Sequence, residues 1–342
     1  MTKESYLVIG GGGFLGGHIV DQLVERGDQV AVFDMRVPRE PNPKVEYFTG
    51  DLCSPADLAP ALKSRTVVIH SASPPHGLPD KVFFKVNVEG TQTILDAAVA
   101  SGVRKFVYTS SASVIYNGQP MVAADETWPF PETMDAYNQS KAQGESLVLS
   151  YNGKNGMATC ALRPSGIFGP RDAQGGPAML KVANEKSHIY MIGNNRTLFD
   201  MTFVVNAAYA HLQAADKLES EGVAGEAFII TNDQPMFFWD IPKRFFQIWG
   251  ALPSGTIRIP LSVAFPIAYL ADAATWALKP FVELHPSFTV FRIKAFAINR
   301  YYSCEKAKER LGYKPLVPME EALEITGEFW KQFNEEQKAA KQ

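Results

Sequence analysis

The strongest constraint on the fold is a glycine-rich turn near the N-terminus, placed between an apolar run and an amphipathic segment. Residues 6–9 are apolar, Gly10-x-x-Gly13-x-x-Gly16 follows, and residues 14–25 have helical periodicity. The pattern predicts a strand, a tight turn and a helix N-terminus, where free N–H groups and the helix dipole favour a pyrophosphate. The alternative is a glycine-rich turn without a ligand. The candidate cofactor contacts in this unit are Gly10, Gly13, Phe14, Leu15 and Gly16.

The next predicted strand, Gln29–Asp34, ends in an acidic residue about 20 residues beyond the glycines. At that position a carboxylate accepts hydrogen bonds from the adenosine ribose and repels a 2′-phosphate. Asp34 therefore favours NAD over NADP. Arg36 is a second candidate contact, because a guanidinium there could bind that phosphate, so NADP remains the less favoured alternative.

Further predicted strands at Val45–Thr49, Val67–His70 and Lys105–Ser110 alternate with helical segments, including Asp80–Ser101. This order predicts an α/β fold with a Rossmann-type, doubly wound parallel sheet, whose ligands bind at the carboxyl ends of the strands. The alternation weakens after residue 170. We expect a dinucleotide-binding domain over residues 1–170 and a smaller α+β substrate lobe over residues 171–342, closely joined to it.

Several candidate contacts follow predicted strand ends, and two further residues lie in a helix. Asp51 is either an adenine contact or a helix cap, and His70 is expected to be packed rather than catalytic. Asn87, a further candidate cofactor contact, and Gly90 lie inside the predicted helix Asp80–Ser101, where a glycine costs about 1 kcal/mol and needs a packing or functional reason. The strand-end candidates are Asp51, Leu52, Ser71, Ala72, Ser73 and Ser110.

The candidate catalytic residues are Tyr137, Lys141 and Ser111. Tyr137 and Lys141 are four residues apart in a predicted helix, so both project from one face. A tyrosine has an ordinary pKa near 10, and a lysine ammonium one turn away together with a nicotinamide cation would favour the phenolate. Ser111, after the strand ending at Ser110, can hold a substrate oxygen. The three together are typical of base-assisted hydride removal from a secondary alcohol.

The composition excludes several other functions. A net charge of −3 without a basic run gives no reason to expect nucleic acid. Cys53, Cys160 and Cys304 are too few and too dispersed for a disulfide framework or a metal site, so we expect no metal and a reducing compartment. The first predicted strand follows the N-terminus so closely that no cleavable secretory signal is expected.

These motifs, with Asn87-x-x-Gly90-Thr91, resemble the extended short-chain dehydrogenases/reductases. Longer strings resemble the 3β-hydroxysteroid dehydrogenases, and within them the fungal form of the branch that acts on sterol 4α-carboxylates with decarboxylation. The strings are Ala72–Pro75, Ser111–Tyr116, Ala124–Pro129, Met134–Tyr137, Leu162–Pro170 and Phe228–Asp233. The resemblance covers nearly the whole chain.

The resemblance implies the role of each candidate. Tyr137 would be the proton acceptor, Lys141 a cofactor-ribose ligand and pKa partner, and Ser111 a donor to the substrate oxygen. Pro164, Gly166 and Ile167 would flank the nicotinamide. The implied reaction is NAD-dependent oxidation of the 3β-hydroxyl of a 4α-carboxysterol to the ketone, with the carboxylate lost as CO₂ in ergosterol-type biosynthesis. The implied location is the cytosolic face of the endoplasmic reticulum membrane.

The region Ile259–Val282 is the most apolar outside the predicted sheet, but Pro260, Pro266, Asp272 and Lys279 interrupt it. A spanning helix needs about 20 predominantly apolar residues, so we expect no clean transmembrane span. We expect instead a peripheral, interfacial segment through which a sterol enters from the bilayer. The alternative is a core helix that covers the substrate pocket.

Other functions remain open from the sequence. The same chemistry could act on another 3-hydroxy triterpenoid or steroid acid in secondary metabolism, and an epimerase shares the catalytic residues. A non-catalytic nucleotide-sensing protein of the same fold is an alternative from a different class. Arg171 either pairs with a substrate carboxylate or is structural. The oligomeric state is not given by the sequence, and a homodimer remains open.

Overall fold

The computed structural model describes residues 4–185, 189–253, 255–278 and 289–339, without the side chains of residues 291, 292 and 295. Residues 279–282 of the predicted apolar segment lie outside the described residues. The strands are β1 (Ser5–Ile9), β2 (Gln29–Asp34), β3 (Val45–Thr49), β4 (Val67–His70), β5 (Lys105–Thr109), β6 (Met121–Ala124), β7 (Ala158–Pro164), β8 (Ile167–Phe168), β9 (Tyr190–Ile192), β10 (Leu198–Phe199), β11 (Thr202–Phe203), β12 (Ala227–Ile230), β13 (Met236–Phe237), β14 (Ile257–Ile259) and β15 (Arg300–Tyr302).

The α-helices are α1 (Phe14–Arg26), α2 (Pro55–Leu62), α3 (Asp80–Phe84), α4 (Thr91–Ala100), α5 (Ala136–Ser150), α6 (Gly175–Asn184), α7 (Val204–Lys217), α8 (Asp240–Ile248), α9 (Leu261–Leu278), α10 (Val290–Ala297), α11 (Glu305–Leu311) and α12 (Met319–Ala339). A π-helical segment, Lys85–Gly90, joins α3 to α4, so the predicted helix over residues 80–101 is confirmed as one continuous helical stretch. Short 3₁₀ helices cover Ala112–Ile115 and Lys154–Gly156.

The main sheet has seven parallel strands in the order β12-β7-β5-β4-β1-β2-β3. Both faces are covered, because Tyr6 and Val8 of β1 pack in one apolar layer while Leu7 and Ile9 pack in the other. Burial on both faces explains why the strands read as continuous apolar runs rather than alternating ones. The predicted α/β, doubly wound fold is confirmed.

A smaller sheet of four strands, in the order β13-β10-β15-β6, forms the centre of the second part of the molecule. The expected boundary at residue 170 does not separate the two sheets, because each half of the chain contributes a strand to the sheet formed mainly by the other half. β12 comes from the C-terminal half and is an edge strand of the main sheet, whereas β6 comes from the N-terminal half and pairs with β15.

The start of α7 and the packing around Gly90 both depend on tertiary contacts. The run Phe203–Asn206, with its two valines, predicts from sequence a short strand that leads into a helix, but β11 ends at Phe203 and α7 begins at Val204. The valines have strand propensity, but a buried helical face packed in the core overrides it. Gly90 has a packing reason, because a Cβ there would lie 1.9 Å from Cδ1 of Leu52.

Within the described residues, α9 is the one helix long and apolar enough to cross a membrane, by length and composition only. Pro266 does not interrupt it. Ala264 and Ala268 pack against Ile293 of α10, and Asp272 accepts a hydrogen bond from the Val290 N–H at 3.1 Å. One face of α9 is therefore attached to the lobe through residues four apart, and most of the remaining surface is exposed.

Candidate active site

A cleft of about 1660 Å³ lies across the carboxyl ends of the main-sheet strands and extends to the small sheet. It brings together every predicted catalytic and cofactor-contact residue except Asn87. The predicted residues that line it are Gly10, Gly13, Phe14, Leu15, Gly16, Asp34, Arg36, Asp51, Leu52, Ser71, Ala72, Ser73, Ser110, Ser111, Tyr137, Lys141, Pro164, Gly166 and Ile167. These residues come from distant parts of the chain, and the sheet edge places them in one cavity.

The glycine turn forms a cradle at the N-terminus of α1. Gly10 has a φ of +83°, and a Cβ at Gly16 would lie 2.1 Å from the Gly10 carbonyl oxygen, so the helix starts directly against the turn. Gly13 is the N-cap and provides no side-chain hydrogen bond. A Cβ at Gly13 would meet nothing within 4 Å except the Gly10 oxygen, so there is open space beside an uncapped helix N-terminus. A diphosphate fits this donor set.

Asp34 lines the cleft next to the glycine turn. Its carboxylate accepts hydrogen bonds from the Gly12 N–H at 3.1 Å and the Met35 N–H at 2.7 Å. Arg36 and Arg39 also line this end and are exposed. The acidic group is thus fixed by backbone donors, while the two guanidinium groups extend from a loop.

Asp51 lines the same end of the cleft and does not cap a helix. Its Oδ1 accepts a hydrogen bond from the Cys53 N–H at 2.9 Å. The N-cap of α2 is Ser54, which accepts from the Asp57 N–H at 3.4 Å. Of the two interpretations of Asp51, the helix cap is wrong, and the residue stays available to the cleft.

Tyr137 lies in the first turn of α5. Its ring contacts the His76 ring, with centroids 4.4 Å apart, and the Phe83 ring at 5.8 Å. Loss of solvent raises the pKa of the Tyr137 phenol, a hydrogen bond with Ser111 lowers it, and the Asp135 carboxylate raises it. The protein without cofactor therefore keeps the phenol protonated, and the expected lowering of the Tyr137 pKa by Lys141 does not accompany these effects.

A hydrogen-bonded chain fixes the hydroxyl of Ser111. Ser113 Oγ donates to Asn138 Oδ1 at 2.5 Å, and Asn138 is held by Asp135 through its backbone N–H at 2.9 Å and its side-chain amide at 2.7 Å. Since Ser113 has only one hydroxyl proton, the Ser111 hydroxyl donates to Ser113 Oγ across 2.7 Å. Ser111 Oγ also accepts from the Ser113 N–H at 3.2 Å, so the Ser111 proton must turn away from Ser113 to reach the Tyr137 or substrate oxygen.

Lys141 follows Tyr137 by one turn on α5, and its side chain is fully buried. Its Nζ donates to the Thr109 carbonyl at 2.7 Å and lies 4.9 Å from the centroid of the Tyr108 ring. Burial lowers the pKa of Lys141 to about 7, and the Glu145 carboxylate opposes that effect. The amino group is therefore poised between its charged and neutral forms near neutral pH.

Behind Lys141, a histidine on α7 fixes the strand end. His211 Nδ1 lies 2.7 Å from the Ala207 carbonyl, which can only accept, so Nδ1 carries the proton. His211 Nε2 then accepts from the Thr109 hydroxyl at 2.8 Å. Burial lowers the pKa of His211 to about 4 and keeps it neutral. The Thr109 hydroxyl is thus bound to His211, and the Thr109 carbonyl accepts the hydrogen bond from Lys141 Nζ.

A buried ion pair holds α5 against the sheet. Arg163 of β7 donates to both carboxylate oxygens of Glu145, at 2.6, 3.0 and 3.2 Å. The side chains are only 6% and 1% exposed, respectively. A buried pair with this number of hydrogen bonds fixes the helix that carries Tyr137 and Lys141.

Asn87 and His70 lie behind the cleft rather than on it. The Asn87 amide donates to Ser140 Oγ at 3.0 Å and joins the π-helical segment to α5. His70 is completely buried, contacts Thr91 Oγ1 at 3.1 Å, and burial lowers its pKa to about 3. The expectation that His70 is packed is confirmed.

The two interpretations of Arg171 are also resolved. Its guanidinium donates to Asp21 of α1 at 2.7 Å and lies 3.4 Å from His18 Nε2. Arg171 does not line the cleft. Its role in this structure is to attach the Gly169-Pro170 turn to α1, and the interpretation as a substrate-carboxylate ligand is wrong.

Sequence reasoning missed several residues that shape the site. Asn138 and Ser113 stand inside motifs that we recognised, and their polar character was the available signal. His76 lies in a loop after β4, and His211 is 102 residues from Thr109, so no local spacing connects either of them to the site. Arg300 of β15 reaches the far end of the cleft from the small sheet.

Comparisons with known proteins agree on one family. Residues 7–261 match the 3-beta hydroxysteroid dehydrogenase/isomerase family. The sterol-4-alpha-carboxylate 3-dehydrogenase, decarboxylating, of Candida albicans is 40% identical, over 95% of this chain and 97% of its own. The mouse enzyme of the same name is 41% identical, over 93% of this chain and 89% of its own.

Solved structures share the fold. The crystal structure of gox2253 has a TM-score of 0.77 and 27% identity, covering 96% of this chain and 98% of its own. A short-chain dehydrogenase/reductase superfamily protein from Agrobacterium tumefaciens, solved with bound NAD, has a TM-score of 0.72 and 23% identity, covering 98% of this chain and 100% of its own.

Proposed function

We propose, from the premise that the chain belongs to the 3-beta hydroxysteroid dehydrogenase/isomerase family, that it oxidises the 3β-hydroxyl of a 4α-carboxysterol to the ketone with loss of the carboxylate as CO₂. The observation that carries the proposal is one cleft that contains the dinucleotide cradle and the Tyr137, Lys141 and Ser111 side chains together. Relatives about 40% identical over most of the chain are named sterol-4-alpha-carboxylate 3-dehydrogenases, decarboxylating, which supports the substrate class.

In this proposal Tyr137 removes the proton of the 3β-hydroxyl while Ser111 donates a hydrogen bond to the same oxygen. A nicotinamide cofactor held by the glycine turn and Asp34 would supply the hydride acceptor for C3, and its positive charge would favour the Tyr137 phenolate. Lys141 adds a second positive charge one turn away and binds cofactor ribose hydroxyls. The hydrogen bond between Tyr137 and Ser111 supports this assignment, because it keeps the two hydroxyls next to each other.

Decarboxylation follows from the ketone and needs no additional group. The bond between C4 and the carboxylate carbon breaks, and its electron pair moves into the C3 carbonyl, which becomes an enolate. Ser111 and the newly protonated Tyr137 donate hydrogen bonds to that enolate oxygen, and a proton then adds at C4 to give the C4-decarboxylated 3-ketosterol. The same two hydroxyls thus stabilise negative charge on one oxygen in both steps.

We propose NAD rather than NADP as the cofactor. Backbone donors from Gly12 and Met35 fix the Asp34 carboxylate at the position expected for the adenosine ribose, where it would repel a 2′-phosphate. Arg36 and Arg39 line the same end and would favour NADP if they dominated. Michaelis constants for the two cofactors measured with one substrate distinguish these outcomes.

We propose that residues 171–342 mainly form the substrate lobe and that α9 attaches it to the cytosolic face of the endoplasmic reticulum membrane. Tyr269, Leu270 and Trp276 are 60%, 71% and 80% exposed, which is unusual for large apolar side chains on one helix. The opposite face packs on α10 through Ala264 and Ala268. A helix held on one side and apolar on the other fits peripheral attachment in the plane of the interface.

The test is to incubate the purified protein with NAD and a 3β-hydroxy-4α-carboxysterol while following NADH and CO₂ together. The proposal expects equal amounts of both products. NADH without CO₂ would indicate a simple dehydrogenase, and activity only on other 3-hydroxy triterpenoid acids would move the substrate to that class. Absence of NADH with every acid would refute the enzymatic function.

A further inference from the structure

We propose that Arg300 binds the 4α-carboxylate of the substrate and so selects sterol acids over neutral sterols. This inference rests on the proposed function and names the residue that recognises the acidic part of its substrate. The proposal depends on where Arg300 lies, on the partners it lacks, and on the state of the other cations in the same cleft.

Arg300 lines the cleft from β15 of the small sheet, whereas the cofactor cradle follows β1 of the main sheet. It is directly paired with Phe199 of the neighbouring strand β10, and its guanidinium carbon lies 4.6 Å from the centroid of the Phe199 ring. The same carbon lies 5.2 Å from the centroid of the Tyr116 ring. Two aromatic faces therefore hold the guanidinium, and both of these aromatic residues also line the cleft.

The position of Tyr116 connects Arg300 to the reacting centre. Ser111 is the N-cap and Tyr116 the C-cap of the same short 3₁₀ helix. Five residues at about 2 Å rise each place these two residues roughly 10 Å apart along the wall of the cleft. Ser111, Tyr116 and Arg300 all line the cleft, so the guanidinium stacked on Tyr116 belongs to the part of the cleft that continues from Ser111 toward the small sheet.

Arg300 has no carboxylate partner among residues 4–185, 189–253, 255–278 and 289–339, and its side chain makes no hydrogen bond there. Stacking on aromatic rings leaves the N–H groups in the plane of the guanidinium free. An arginine in this state has unused donors in a fork geometry that matches a carboxylate. The structure thus offers an anion-binding group in the part of the cleft where the proposed function requires one.

The other cations that line the described cleft do not serve this purpose. Arg36 and Arg39 lie beyond β2 beside Asp34, at the adenosine end. Lys141 is buried and donates to the Thr109 carbonyl. Arg300 is the remaining permanent cation, and it is located at the end of the cleft formed by the small sheet.

Binding by Arg300 also suits the second chemical step. A fork of two hydrogen bonds fixes the plane and direction of the carboxylate, and so the direction of the bond from C4 that must break. The electron pair of that bond moves toward the C3 carbonyl, and the departing CO₂ is neutral. Arg300 therefore holds the charged substrate strongly and the neutral product weakly, which favours release.

The experiment compares a 3β-hydroxy-4α-carboxysterol with its neutral 4α-methyl counterpart, each in detergent micelles with NAD. The proteins are the wild type, Arg300→Gln, Arg300→Lys and, as a matched control, Arg310→Gln, an exposed arginine of α11 that does not line the cleft. We expect Arg300→Gln to lower kcat/KM for the acid about 10- to 100-fold, mainly through KM, since a hydrogen-bonded charge is lost. For the neutral sterol the loss should stay below about threefold on the same reasoning.

Arg300→Lys should recover part of the lost kcat/KM for the acid, because it restores a charge without the fork. Equal losses on both sterols would show a merely structural role for Arg300 and overturn the proposal, as would an unchanged kcat/KM for the acid. Failure of the proposed function is distinguishable, since the wild type would then form neither NADH nor CO₂ from the acid. Cofactor binding, followed by NADH fluorescence, shows whether each variant is folded.

Discussion

The buried amino group of Lys141 makes a quantitative prediction for folding. Burial lowers its pKa from 10.5 to about 7 in the native protein, whereas the unfolded chain keeps the ordinary value. Between those two values the unfolded state binds one more proton than the native state. The free energy of unfolding should therefore rise with pH in this window, by about 1.4 kcal/mol per pH unit for this group.

The variant Lys141→Met removes the titrating group while keeping a side chain of similar length. From pH 7 to pH 9 the stability of the wild type relative to Lys141→Met should increase by about 2.3 kcal/mol, slightly less than two pH units at the full linkage slope, because the native lysine is half-protonated at pH 7. Below about pH 6 the lysine is charged in both states, so the cost of burying its charge is fully present and the difference between the proteins should be nearly constant.

The assay is urea unfolding of the cofactor-free protein at pH 6, 7, 8 and 9, followed by circular dichroism. Lys181→Met is the control, because Lys181 has a side chain that is 74% exposed and its charge stays in water. The stability of this control should differ from the wild type by the same amount at every pH. A wild-type minus Lys141→Met difference that is flat between pH 7 and 9 would refute the reasoning, since it would mean that Lys141 stays charged in its buried site.

Three further predictions concern other parts of the molecule. Arg163→Met should destabilise the fold by about 3–5 kcal/mol in urea unfolding, because it leaves Glu145 charged and buried, and the added change Glu145→Leu should recover most of the loss. A double variant without the pair that is no more stable than Arg163→Met would contradict this. Asp34→Ala should raise the Michaelis constant for NAD about tenfold or more and that for NADP much less, and equal effects would argue against ribose recognition. Leu270→Asp together with Trp276→Asp should weaken binding to phosphatidylcholine vesicles at least about tenfold without loss of soluble-phase activity, and unchanged sedimentation with the vesicles would exclude α9 as the attachment.

The sequence predicted the parts of the fold that depend on local pattern. The parallel sheet follows from buried apolar runs that alternate with helices. The glycine turn belongs to a single strand-turn-helix unit. The four-residue spacing of Tyr137 and Lys141 is a feature of a single helix. The start of α7 was placed wrongly, because the two valines at its N-terminus have strand propensity while the buried alanine-rich face that decides the outcome depends on tertiary packing.

The site was predictable to the extent that its residues stand at strand ends and helix starts. Asn87 was grouped with the cofactor contacts, but the structure turns its amide toward Ser140, because the π-helical segment packs closely on α5. His211 and Arg300 reach the site from α7 and β15, far along the chain, and only the three-dimensional arrangement shows which strand end each side chain meets. The pKa of Tyr137 also depends on loss of solvent, which spacing along a helix does not reveal.

The most direct test of the central claim is the turnover of Tyr137→Phe on a 3β-hydroxy-4α-carboxysterol with NAD. This variant keeps the ring that contacts His76 and Phe83 and removes only the hydroxyl that accepts the substrate proton. The account predicts that kcat falls about 100- to 10,000-fold, the usual contribution of a general base, while the affinity for NADH measured by fluorescence is unchanged. Near wild-type turnover with intact cofactor binding would contradict it.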